Sequence, residues 1–236
     1  MLSTLDVAAD NRLLAALPNS DRRRILASCE AVELAVADVL YAPWEPLNCI
    51  YFPTSGVISL SMPSGDSTTF EVGLVGAEGV LGVALVLEAD MSPERAVVHG
   101  AGAALRMDAA SLRSELRRNA PLRSEIDRYV QIRMTQLAQS AICAHFHLLE
   151  SRLARRLLMT QDRARTNSFS VTQEVLAARL GVRRVGVTKA ASALQKRRLI
   201  QYSRGDITVL DRRGLMAASC RCYKADRDSF ARIAGG

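Results

Sequence analysis

Apolar positions along the chain change period from stretch to stretch, and each change predicts a different kind of element. Between residues 3 and 30, Leu13, Leu14, Leu17, Ile25 and Leu26 fall at helical spacing, with Pro18 interrupting them. This predicts short helices, the second beginning at Asp21 with Ser20 as its cap. From residue 31 to 107 the pattern shortens. Val32, Leu34 and Val36 alternate with Glu33 and Ala35, and the runs 50–52, 57–62, 69–72 and 96–98 are rich in β-formers. Pro53, Ser55-Gly56, Gly76, Gly79, Gly82, Ser92-Pro93 and Gly100 punctuate them, and Pro63-Ser64-Gly65-Asp66 reads as a hairpin turn. Many short strands with turn signals predict a small antiparallel barrel or sandwich.

At Asp108 the period lengthens again. Asp108 is placed to cap a helix from Ala109 to Asn119, and Pro121 begins another. No glycine or internal proline follows until about His147. Ile126, Val130, Met134, Leu137, Ala141 and Ala144 step by 4, 4, 3, 4 and 3, a heptad-like seam flanked by charged residues. About 27 helical residues span roughly 40 Å, and a helix of that length with one apolar stripe predicts a partner helix from a second chain, the alternative being burial against its own domain. Residues 150–166 predict a further amphipathic helix, with Leu153, Leu157 and Leu158 inside and Arg152, Arg155, Arg156 and Arg163 on the outer side.

The segment 168–210 carries the functional signal. Ser168-Phe169-Ser170-Val171 reads as a short strand. Thr172 caps a helix whose first turn holds Gln173 and Glu174, and Gly181 ends it. A second helix follows, roughly Arg183 to Arg198, with Val187, Ala190, Ala191 and Leu194 as its core stripe. Gly186 allows close helix approach. Arg183, Arg184, Val185, Thr188 and Lys189 are left near its exposed start. Residues 199–202 and 207–210 read as strands around the tight turn Ser203-Arg204-Gly205-Asp206. Helix, glycine turn, helix and two-stranded wing form the winged helix-turn-helix pattern. Its second helix fits the major groove of DNA, where Arg forks onto guanine, while wing cations hold phosphates.

Charge sharpens the division. The 236 residues carry a formal +7. Residues 1–149 hold 12 Lys+Arg against 17 Asp+Glu, a net of −5, whereas residues 150–236 hold 19 against 7, a net of +12. A step from acidic to strongly basic predicts two modules with different partners, the basic one a polyanion binder.

The stretch VTQEVLAARLGVRRVGVTKAASALQKRRLI, followed by SRGDITVLDRRGL, resembles the Crp/Fnr transcription regulators, and the resemblance extends over nearly the whole chain. It implies an α+β fold: an N-terminal antiparallel β-roll of cyclic-nucleotide-binding-like type over 1–120, a long dimerisation helix over 121–149, and a winged helix-turn-helix over 150–236. It implies a homodimer, with Ile126, Val130, Met134, Leu137 and Ala141 on the dimer helix, bound to a roughly palindromic double-stranded DNA site and acting on RNA polymerase. The family's base-reading positions fall on Arg184, Val185 and Lys189. Arg184 keeps the family's arginine, Val185 replaces a glutamate, Lys189 stands where arginine is common and Arg183 replaces a frequent serine. The DNA-facing set is therefore Thr172, Gln173, Arg183, Arg184, Val185, Thr188, Lys189 and the wing's Arg204. The Val185 position implies a site different from that of the best-known members.

The family's effector cassette falls on GAEGVLGVALVLEADMSPERAVV. Gly82 and Arg95 match it, but Val83 stands at the ribose-binding glutamate and Ala96 at the phosphate-binding hydroxyl. The sequence thus predicts no cyclic nucleotide, and the effector, if the protein is not constitutive, is undefined. Only Cys29 and Cys49 lie in the first half, which predicts no Fe–S cluster. Cys143, His145 and His147 read as packing or dimer-surface residues, Cys220 and Cys222 as two unrelated reduced thiols, and no metal is predicted. No P-loop, nucleophile elbow, metal-ligand helix or triad is present, so the chain does not read as an enzyme. The start MLSTLDVAADNR lacks the order of a secretory signal, and no apolar run nears the roughly 20 residues of a spanning helix, so the expectation is cytoplasmic with no membrane partner. The alternative reading is a small-molecule sensor whose basic module docks a protein without reading DNA.

Overall fold

A computed structural model describes residues 10–63 and 69–234. The helical expectation over residues 3–9 and the hairpin turn at Ser64-Gly65-Asp66 lie outside the described residues. The chain divides into two compact units, one of Met1–Leu60 and Leu74–Arg133, the other of Ser61–Gly73 and Met134–Gly235.

The first unit opens with α1 (Arg12–Ala15) and α2 (Asn19–Ala27). Asn11, fully buried, caps α1 by accepting from Leu14 N at 3.2 Å, and donates through Nδ2 to the carbonyls of Pro53 at 2.8 Å and Gly79 at 2.9 Å. Ser20 is not a cap: α2 begins at Asn19 behind Pro18, and no side chain caps it. Proline already fixes φ where a helix starts, so no cap is required there.

Seven strands follow: β1 (Glu30–Leu34), β2 (Val39–Tyr41), β3 (Cys49–Pro53), β4 (Val57–Pro63), β5 (Thr69–Val75), β6 (Arg95–Gly100) and β7 (Gly102–Asp108), with the one-turn helix α3 (Val83–Val86) between β5 and β6. They form two sheets, ordered β1-β7-β3 and β2-β6-β4-β5. The pairings of β7 with β1 and β3, and of β2 with β6, are antiparallel. Phe52, Ile50, Ile58, Leu74, Leu105 and Met107 are buried among them. β2 and β7 carry no sequence signal. β7 is rich in Gly and Ala, poor strand formers, and is a strand because both its edges are paired.

Asp108 caps α4 (Ala109–Arg118), accepting from Ser111 N at 2.8 Å. α5 (Ala120–Phe146) is the long helix, 27 residues. Within the first unit its Leu122, Ile126, Tyr129 and Ile132 are buried.

The second unit contains α6 (Leu149–Ala164), β8 (Ser168–Ser170), α7 (Gln173–Leu180), α8 (Arg184–Lys196), β9 (Ile200–Ser203), β10 (Asp206–Val209), α9 (Arg212–Ala218) and α10 (Cys222–Ala234). Leu153, Leu157, Leu158, Leu176, Val187, Leu194, Ile207 and Leu215 form its core. Arg155 and Arg156 on α6 are not on a solvated face. Each guanidinium is buried on a carboxylate: Arg155 on Asp226 at 2.6 Å, and Arg156 on Glu71 at 2.6 Å, with Arg179 of α7 also 3.3 Å from Glu71. Periodicity gave the right stripe, but it could not show that charged partners from distant segments cover the other side. No helix among the described residues is long and apolar enough to cross a membrane.

Candidate nucleic-acid interface

The interface is assembled by α7, α8 and the β9–β10 wing. Thr172 caps α7, its hydroxyl oxygen accepting from Val175 N at 3.3 Å. Gly181 closes α7 with φ +63°, a left-handed conformation suited to glycine, and the following N–H groups bond back to Ala178 and Ala177. The Arg152 guanidinium donates to the carbonyl of Leu180, satisfying a helix-end acceptor. Gly186 lies against α6, where an added Cβ would stand 2.9 Å from Leu149 Cδ2.

α8 buries Val187, Ala190, Ala191 and Leu194. That fixes which face stays outside: Arg183, Arg184, Val185, Thr188 and Lys189 are all exposed, Val185 to 60%. Arg183 occupies the N-cap without making a side-chain cap bond. The first N–H groups of α8 thus lack a capping side chain, at a helix end whose dipole favours an anion, beside two guanidiniums.

Side chains from α7 bond to two of the exposed residues of α8. Arg184 Nε lies 3.0 Å from Glu174 Oε1, and the Thr188 hydroxyl donates to Gln173 Oε1 at 2.6 Å. The expected DNA-facing residues Gln173, Arg184 and Thr188 are therefore brought together, and Glu174 joins them as a residue that sequence reading placed only as a helix-start carboxylate. The wing turn has Arg204 at φ +52° and Gly205 at φ +90°, the type I′ signature, with Arg204 exposed at its tip. Tyr202 anchors the wing, donating its hydroxyl to Val171 O at 3.0 Å and its backbone N–H to Gln195 Oε1 at 2.8 Å. Partial burial, with Glu174 nearby, pushes the Tyr202 phenol above its usual value.

The expected effector positions give less. Gly82, at φ +98°, starts α3 beside Val83, and an added Cβ would meet Cys49 O at 3.1 Å, so this glycine serves a close backbone approach. Arg95 is exposed on β6, while Ala96 is fully buried opposite Tyr41. Ala96 therefore offers neither a hydroxyl nor access.

On α5 the expected seam divides. Ile126 is fully buried in its own unit and is not available to a second chain. Val130 is half-buried, whereas Met134, Leu137 and Ala141 are exposed, Met134 to 66%. The cysteine reading is also corrected. Cys143, His147, Cys220 and Cys222 are not unrelated: their ligand atoms all lie within 4.8 Å of one another. His145 is apart from them, exposed and edge-on to Phe146. The signal lost in sequence was distance, since 73 residues separate His147 from Cys220.

Strand, capped helix, glycine turn, recognition-type helix and wing define a winged helix-turn-helix. Comparison with known proteins agrees: residues 151–218 match the model of the Crp-like helix-turn-helix domain. The chain carries that domain, and its fold is the one seen in solved Crp/Fnr regulators. FixK2 from Bradyrhizobium japonicum superposes with a TM-score of 0.68 at 13% identity, over 81% of this chain and 98% of that one. A CRP/FNR-family transcriptional regulator from Thermus thermophilus gives 0.68 at 19%, over 80% and 98%. The c-di-GMP responsive global regulator CLP of Xanthomonas campestris gives 0.65 at 16%, over 81% and 99%. No curated protein matches the chain in sequence.

Proposed function

We propose that the protein is a non-enzymatic, sequence-specific DNA-binding transcription regulator of the Crp/Fnr type. The observation that carries this is the exposed face of α8. Arg183, Arg184, Thr188 and Lys189 stand at the start of a helix whose opposite face is locked in the core, and Arg204 stands at the wing tip. Arg184 reads a guanine edge, Thr188 and Lys189 contact neighbouring bases or phosphates, and Arg183, Arg204 and the α8 N-terminus hold the backbone in register. Thr172 and Gln173 flank the same groove from α7. Val185 offers an apolar contact where a carboxylate would select cytosine, so it favours a thymine methyl.

Two chains pair through the exposed C-terminal half of α5, Met134, Leu137 and Ala141, and present two recognition helices to half-sites about one helical turn apart. The N-terminal domain (1–120) biases this geometry, constitutively or through an effector that does not depend on the lost carboxylate and hydroxyl of the cyclic-nucleotide cassette. The bound dimer then aids or blocks RNA polymerase. The test is Arg184→Ala in a competition titration. The substitution is expected to cost roughly 1–3 kcal/mol on the cognate site and to relax preference at one base position. Unchanged specific affinity would remove Arg184 from the reading set.

A further inference from the structure

Three thiols and an imidazole converge at a place that the proposed DNA-reading function does not use. Cys143 lies in the last turns of α5. His147 follows α5, and its N–H still bonds to Cys143 O at 3.3 Å, which keeps the two side chains on one face at helical i, i+4 spacing. Cys220 precedes α10 and Cys222 is its first residue. All four belong to the second unit. The three cysteines form a buried cluster of their own, at 2%, 7% and 0% exposure.

We propose that Cys143, His147, Cys220 and Cys222 form a closed tetrahedral site for a single zinc ion. The distances carry the assignment. Cys143 Sγ lies 3.4 Å from Cys220 Sγ, and Cys222 Sγ lies 3.3 Å from His147 Nδ1. Zn–S bonds of about 2.3 Å and Zn–N bonds near 2.0 Å set tetrahedral edges of about 3.8 Å between sulfurs and about 3.5 Å from sulfur to nitrogen. The observed edges fall within a few tenths of an ångström of these, and the widest spacing, 4.8 Å, closes with small side-chain rotations. A cubane Fe–S cluster carries its thiolates on separate irons and needs them further apart than this pair. Three thiolates and an imidazole are also a donor set that selects zinc over magnesium or calcium. Four protein ligands leave no open position, so the site is structural rather than hydrolytic.

The surroundings fit a charged centre. Three thiolates and one divalent ion leave a net −1, which burial penalises unless it is paired. Arg155, buried on Asp226 at 2.6 Å, places a guanidinium close to Cys143 and lessens that penalty. Gln139 Nε2 lies 2.9 Å from Cys222 Sγ and donates to it. A Cys143–Cys220 disulfide would account for two of the four residues and leave His147, Cys222 and Gln139 without a role. The ion clips the end of α5 to the start of α10, independently of whether α8 reads DNA.

The test uses the reduced full-length chain, stripped of metal by a chelator and titrated with Zn(II), then with Co(II) as a spectroscopic probe. The expected result is one zinc per chain, a tetrahedral thiolate Co(II) spectrum, and loss of both in Cys143→Ser and Cys222→Ser but not in Cys29→Ser or Cys49→Ser. His147→Cys keeps the ligand count, so it should retain the ion and raise the sulfur-to-cobalt charge-transfer intensity by about one third. That variant decides the matter even where the serine variants fail to fold. Absence of stoichiometric zinc, an octahedral Co(II) spectrum, or a His147→Cys spectrum identical to wild type overturns the site.

Discussion

Arg184 and Glu174 make an exposed pair at 3.0 Å, which contributes little to stability. The residue scale also contains a pH signature in Asp108. Bonds from the Ser111 backbone and side chain hold its carboxyl below the usual range. Because the folded value is the lower one, the stabilisation is fully present above the unfolded value of about 3.9 and fades as pH falls through the folded one. Asp108→Ala should cost about 1 kcal/mol at neutral pH. Asp108→Asn keeps an acceptor that does not titrate, so it should match the wild type near neutral pH and melt above it as pH falls below about 4. Melting curves of the two that stay parallel on acidification would contradict the cap assignment. Such caps were legible in the sequence: Asp108 and Thr172 each precede a helical period and act as read. Ser20 was misread because the proline two residues before it already sets the turn. The cysteine cluster was not legible, because its partners meet only after α5 and α10 are in place.

At the scale of elements, the long helix was legible in length and period but not in what each half faces. The same apolar step that buries Leu122, Ile126 and Tyr129 against the first unit leaves Met134 and Leu137 exposed. A stripe in sequence states only that one side is apolar, not which neighbour covers it. The two halves therefore respond differently to substitution. With the proposed pairing through α5, the wild type should sediment as a dimer and Met134→Lys with Leu137→Lys as a folded monomer, with helical content unchanged. Ile126→Ala should instead lose about 2–5 kcal/mol of stability, as a buried cavity does, and leave the oligomeric state alone. A monomeric wild-type chain would remove α5 as the dimer element. β7 shows the reverse limit: its Gly and Ala residues carry no strand signal, and the pairing of both its edges makes the strand. α9 and α10, beyond the wing, were missed because their apolar residues are few and scattered between cations. The first is set by its cap, Asp211, which accepts from Gly214 N at 2.9 Å.

At the scale of the whole molecule, the charge step was the plainest sequence signal, −5 before residue 150 and +12 after it. Part of that positive charge is spent inside the protein, on Asp226 and Glu71. The remainder includes the exposed cations of α8 and the wing, which predicts binding that weakens steeply with salt, by a log–log slope near −0.9 for each phosphate neutralised. Charge alone would give that slope to any basic module. Sequence preference would not follow from it, and so preference is what separates a regulator from a basic surface that docks an acidic protein. The most direct measurement is selection of the full-length protein against random double-stranded DNA, followed by titration of the enriched site. Enrichment of a palindrome with half-sites about one turn apart, bound at least 10³-fold tighter than scrambled DNA, is the predicted result. Binding to all sequences with equal affinity, in both buffer and cell extract, would contradict it.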